Sequence, residues 1–106
     1  MKRDSLENMK GGWFIGNFQP NIHESKDFEV TIRHYLKGET EPRHYQLIAT
    51  EITVIVLGKA RMGDQILNPN EVLTVFPTEV LDFEALEDCT IVAIKFPSIP
   101  SDKILA

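Results

Sequence analysis

Gly38-Glu39-Thr40-Glu41-Pro42-Arg43-His44-Tyr45-Gln46-Leu47-Ile48-Ala49-Thr50-Glu51 runs directly into Ile52-Thr53-Val54-Ile55-Val56-Leu57-Gly58, and this stretch decides the fold. Its second part is rich in β-branched residues and closed by glycine, the composition of a core strand. In the first part His44 and Gln46 stand two apart, so on a strand both side chains leave the same face. Glu51 opens the following strand, with Thr53 and Ile55 as its same-face partners. A tight connection between Gln46 and Glu51 gathers an imidazole, an amide and a carboxylate, the start of a divalent-metal site.

Outward from this stretch the chain is densely punctuated, with proline at 20, 42, 69, 77, 97 and 100 and glycine at 11, 12, 16, 38, 58 and 63. The runs between these marks are too short for most helices. Phe28, Val30 and Ile32 alternate with Glu29, Thr31 and Arg33, which predicts a half-buried strand with the apolar set inward. His34 continues that apolar face, as a hydrogen-bonded core histidine or as part of a cavity wall. His23 falls in a turn region and reads as a surface residue, and Arg33 and Arg43 read as solvated charges. Lys59 to Met62 extends the central strand into a hairpin turn at Met62-Gly63-Asp64-Gln65, and Gln65 to Leu67 returns. Asn68-Pro69-Asn70 is a turn. Glu71 to Phe76 and Thr90 to Phe96 are strands stopped by Pro77 and Pro97. Val80 to Asp88 admits a helical spacing of Leu81, Ala85 and Leu86, but Phe83 and the short length favour a strand. Residues 1–10 hold one helical turn or fray. Seven or eight short strands at this spacing predict an all-β sandwich or barrel.

Composition narrows the function. The 106 residues fit one domain, and 42% apolar content supplies a core without disulfides. A net charge of −5 argues against nucleic acid or an anionic membrane as partner. The single cysteine, Cys89, lies in an apolar run and reads as a buried, inert thiol. The N-terminal residues lack the apolar segment of a signal peptide, and no run approaches the ~20 apolar residues of a membrane helix, so a cytoplasmic location is expected.

The spacing Gly38, five residues, His44-x-Gln46, four residues, Glu51, six residues, Gly58 resembles the first motif of the cupin superfamily, with glutamine in place of its second histidine. The second cupin motif is eroded: Asn70, Pro77, Glu79 and Asp82 fall at its first glycine, proline, second glycine and histidine positions, and Ala85 or Leu86 at its asparagine. The resemblance spans residues 38–86. It implies a small single-domain cupin: a jelly-roll barrel, or double-stranded β-helix, over 27–98, an N-terminal segment 1–26 and a C-terminal tail 99–106. It further implies a metal set of His44, Gln46, Glu51 and Asp82, with Glu84 the alternative to Asp82 after a register slip. One imidazole among oxygen donors favours Mn²⁺, Fe²⁺ or Mg²⁺ over Zn²⁺. Trp13-Phe14-Ile15-Gly16-Asn17-Phe18 either pairs with a second copy, as cupin N-terminal strands commonly do in homodimers, or caps the barrel.

Three functions follow. The first is a metal-dependent enzyme acting on a small molecule, with Glu51 and His44 catalytic. The second is a metal-free isomerase or epimerase of nucleotide-sugars. The third is a non-catalytic module binding a sugar or a carboxylate.

Overall fold

The computed structural model describes all 106 residues. Two short 3₁₀ turns, Leu6–Asn8 and Lys10–Gly12, lead into eleven strands. These are β1 (Trp13–Gly16), β2 (His23–Glu24), β3 (Glu29–Tyr35), β4 (Thr40–Gln46), β5 (Thr50–Leu57), β6 (Ala60–Met62), β7 (Gln65–Leu67), β8 (Val72–Val75), β9 (Leu81–Ala85), β10 (Cys89–Phe96) and β11 (Lys103–Leu105). They form a six-stranded sheet in the order β2-β1-β3-β10-β5-β8 and a five-stranded sheet in the order β11-β4-β9-β6-β7. Apart from the parallel β1–β2 pair, neighbours run antiparallel. No helix is long and apolar enough to cross a membrane.

Local chemistry explains the turns. Gly63 adopts φ +59° between β6 and β7, and Asn70 adopts φ +72° after Pro69, the left-handed conformations these residue types tolerate best. The segment 80–88 is the strand β9, not a helix, because its backbone pairs with β4 on one side and β6 on the other. Residues outside the expected 27–98 barrel also join the sheets: β1 pairs with β3, and β11 pairs with β4.

The core lies between the sheets and includes Tyr35, Ile55, Met62, Leu67, Phe83, Cys89 and Ile91, with Tyr35 and Phe83 tilted together at 4.5 Å between centroids. The face expected for β3 is reversed. Glu29, Thr31 and Tyr35 are buried, whereas Phe28 and His34 are exposed. The reversal is possible because the inner wall here is lined by polar groups that satisfy one another: the Thr31 hydroxyl donates to the Gly11 carbonyl at 2.8 Å, and Arg33 pairs with Glu41 at 3.1 Å. His34 is therefore no core histidine; its Nδ1 lies 2.8 Å from the Thr90 hydroxyl on the outer face.

Candidate functional site

The site is built around the connection between β4 and β5. Asp102, buried just before β11, accepts hydrogen bonds on its carboxylate from the Ile48 N–H at 2.9 Å and the Ala49 N–H at 2.8 Å. Its own carbonyl accepts from the Leu47 N–H at 3.1 Å. This clamp holds the turn between Gln46 and Glu51. Register then decides what faces inward. Glu51 pairs with Val75 and Thr53 with Leu73, so both project to the barrel interior with Ile55. On β4 a bulge between Glu41 and His44 opposes three residue steps to two on β9. Glu41 and His44 consequently both turn inward although they are an odd number apart.

The resulting cavity measures about 140 Å³ and is lined by residues of eight strands. Its polar walls are Arg33, Glu41, His44, Glu51, Thr53, Lys95 and Lys103; its apolar walls include Trp13, Met62, Leu81, Phe83 and Ile91. His44 and Glu51 thus share one cavity. The His44 Nδ1 lies 2.7 Å from the Pro42 carbonyl. A carbonyl can only accept, so Nδ1 carries a proton and Nε2 is the ring nitrogen left for other partners.

Gln46 is buried on the same strand face, opposite Lys103 in the register, and neither its amide oxygen nor its amide nitrogen has a hydrogen-bond partner. The Thr53 hydroxyl is likewise unpaired. Buried polar groups without partners are costly and uncommon; of these two residues Thr53 lines the cavity and Gln46 is not among its walls.

The expectation for Asp82 is corrected. Leu81 and Phe83 occupy the inward face of β9, and strand alternation turns Asp82 and Glu84 to the opposite side. There Asp82 receives two hydrogen bonds from the Arg61 guanidinium, at 2.9 and 3.1 Å, and Glu84 lies 3.5 Å from the same group. The Arg61 hydrogen bond holds the Asp82 carboxyl below its usual range. A register slip that exchanges Asp82 for Glu84 changes nothing, since both share the outer face.

The reading of Arg33 as a solvated charge is also overturned. Its guanidinium lies 3.1 Å from Glu41 and 5.1 Å from the Tyr35 ring centroid, and the Tyr35 hydroxyl donates to the same Glu41 oxygen at 3.3 Å. Burial is the main reason the Tyr35 phenol resists ionisation. Lys95 differs: its ammonium sits 4.8 Å above the Trp13 ring and has no carboxylate at ion-pair distance. Lys103 has none either. Glu29 stands opposite Lys95 in the register, but burial pushes its carboxyl above the ordinary range despite the nearby ammonium. One signal in the sequence pointed to this wall: Lys95 is the lone charge in the run from Cys89 to Phe96. Glu41 gave no such signal, because only the bulge turns it inward.

A divalent cation is a poor match for this donor set. Of the four expected ligands, His44 and Glu51 line the cavity, Gln46 is buried outside its walls, and Leu81 stands where a fourth donor was expected. No group of three or more His, Cys, Asp or Glu side chains comes close enough to hold a metal ion. Of the three cationic side chains that share the cavity, Arg33 is paired with Glu41, which leaves Lys95 and Lys103 against the single carboxylate of Glu51.

No family model and no curated protein matches the chain. Among solved structures it resembles an uncharacterized conserved protein with a double-stranded beta-helix domain from Klebsiella pneumoniae, at TM-score 0.70 and 18% identity over 77% of this chain and 72% of that one. The Escherichia coli pirin YhhW, solved in complex with nickel(II), is similar at TM-score 0.69 and 13% identity, over 82% of this chain and 39% of the pirin. The vicilin of Solanum melongena, described with different anionic ligands in structurally similar pockets, is similar at TM-score 0.66 and 19% identity, over 76% of this chain and 26% of the vicilin. At these identities the likeness is one of fold: the chain is a double-stranded β-helix.

Proposed function

We propose that this chain, a protein of the cupin fold, binds a small organic anion, a carboxylate of a few carbons, inside its barrel. The observation that carries the reading is the pair of lysines, Lys95 and Lys103, that line the cavity with no ion-pair partner. A carboxylate between them gains charge-assisted hydrogen bonds in a partly desolvated space. The unpaired Thr53 hydroxyl, on the cavity wall, would then serve another polar atom of the ligand. His44 Nε2 and the Glu51 carboxylate are the groups of the site for proton exchange. The vicilin likeness, with its anionic ligands, points the same way.

Size limits the ligand. A cavity of about 140 Å³ holds roughly five waters' volume, well below the roughly 300 Å³ at which drug-sized pockets begin. A nucleotide-sugar is far larger than this volume, which weighs against the isomerase reading.

Isothermal titration of the purified protein with two- to six-carbon mono- and dicarboxylates tests the proposal. Saturable binding is expected that weakens at least tenfold, by roughly 1.4 kcal/mol, in Lys95→Met and Lys103→Met. Titration with Mn²⁺, Ni²⁺ and Zn²⁺ is the opposing arm. Tight metal binding abolished by Glu51→Ala, with no carboxylate bound, overturns the proposal in favour of a metal centre.

A further inference from the structure

The barrel cavity is charged on one side and apolar on the other. On β10, Lys95 and Ile91 share the inward face four residues apart, roughly 13 Å along the strand. In the five-stranded sheet, β4 and β9 separate β11, which carries Lys103, from β6, which carries Met62. Three strand spacings make that separation about 14 Å. The wall away from the lysines is formed by Met62, Leu81, Phe83 and Ile91. Met62 and Leu81 also line a second space, an open groove of about 200 Å³ walled beyond them by Leu73, Val75 and Val80. No other residue borders both spaces. The backbone beside the two side chains is pinned. The Gly63 N–H donates to the Asp82 carbonyl at 3.0 Å, and a Cβ at Gly63 would stand 3.5 Å from the Leu81 Cβ. The partition between cavity and groove is therefore made of side chains.

We propose that Met62 and Leu81 set the length of the ligand, and that the ligand is an unbranched aliphatic monocarboxylate. The inference rests on the carboxylate reading of the site and adds the other end of the molecule. A carboxylate held by Lys95 and Lys103 directs the rest of the ligand onto the apolar wall. There each methylene removed from water strengthens binding about fourfold. The gain ends where the tail meets Met62 and Leu81. A second carboxylate on the tail is disfavoured on both sides of that partition. Inside, it would be buried against Met62, Leu81 and Phe83, whose side chains offer no hydrogen-bond donor. Beyond, it would meet Asp64 and Glu79, the only charged residues lining the groove. Glu79 is held there by the Phe76 N–H, which donates to its carboxylate at 2.8 Å. The hydroxyls of a sugar acid would likewise find no partner along the apolar wall. Shortening Met62 or Leu81 joins the cavity to the groove and admits a longer tail.

Isothermal titration of the full chain with straight-chain monocarboxylates of two to ten carbons, and with the matching dicarboxylates, tests the inference. In wild type, affinity should rise with length and fall again before octanoate. In Met62→Ala and Leu81→Ala the rise should continue, so that octanoate binds at least tenfold more tightly than to wild type. Circular dichroism checks that each variant folds. Leu81 is only partly buried, so Leu81→Ala carries the decision if Met62→Ala, truncated in the core, fails to fold. An unchanged length profile in a folded variant, with short carboxylates still lost in Lys95→Met, overturns the partition and leaves the carboxylate site standing. Adipate binding as tightly as hexanoate overturns the monocarboxylate class. Wild type that binds no carboxylate at all overturns both this inference and the reading beneath it.

Discussion

Replacing Asp102 with alanine tests whether the turn between Gln46 and Glu51 is held by a buried carboxylate. Asp102 is 5% exposed, and its carboxylate accepts from the Ile48 and Ala49 N–H groups at 2.9 and 2.8 Å. Alanine removes the acceptor and leaves two backbone donors without a partner. The Ala49 donor is fully enclosed, in a residue 1% exposed, while the Ile48 donor lies nearer the surface. An unsatisfied buried donor costs ~1–3 kcal/mol, and water recovers part of that for the more accessible one. Relief of the buried charge offsets a fraction, leaving a net loss of about 3 kcal/mol. In a domain of this length that lowers the melting temperature by roughly 10–20 °C. An asparagine amide keeps one acceptor oxygen, so Asp102→Asn should lose about half as much. Differential scanning calorimetry of the three proteins, with urea titrations to confirm an unchanged slope, measures both steps. The alanine variant should also bind carboxylates more weakly, because the turn it loosens places Glu51. A melting temperature for Asp102→Ala within about 3 °C of wild type would refute the claim that this carboxylate holds the turn.

Three further outcomes are expected. Gln46→Leu removes two unpaired buried polar atoms, so the protein should gain about 1 kcal/mol in urea unfolding; unchanged stability shows that the amide is already satisfied. Burial holds the Glu29 carboxyl above its ordinary value of 4.5, so between that value and its raised one the folded state binds more protons than the unfolded state. Stability therefore falls as pH rises through this window and the penalty persists above it. Glu29→Gln should be more stable than wild type at pH 7 and show a flatter dependence of melting temperature on pH from 4.5 upward; parallel curves refute it. Gly58→Ala places a Cβ 2.0 Å from the Asp88 carbonyl oxygen at φ +81°, and should cost about 3 kcal/mol or more in the urea midpoint.

That last position shows how much of the fold was legible. Gly58 closes the motif that identified the barrel, and the structure supplies the reason for glycine there: β5 must turn with positive φ against the backbone at Asp88. The β-branched run of β5, the Gly63 hairpin and the Asn70 turn were readable because each rests on local stereochemistry. The face of β3 was not. Reading apolar as inward fails when the inner wall is a polar pocket and the outer wall is aliphatic, since alternation fixes the period but not its direction. Asp82 was misplaced for a related reason: Leu81 and Phe83 compete for the inward face, and bulk prevails over charge. Arg33, Lys95 and Lys103 were missed as site residues because lysine and arginine default to solvent. Only the assembled barrel shows that all three border one cavity.

The Lys95 ammonium lies directly over the indole of Trp13, and Trp13 is the sole tryptophan of the chain. An anion drawn to that ammonium changes the field across the only strongly emitting fluorophore in the molecule. Occupancy of the barrel is therefore written into the protein's intrinsic emission, and a spectrometer can follow it without any attached label.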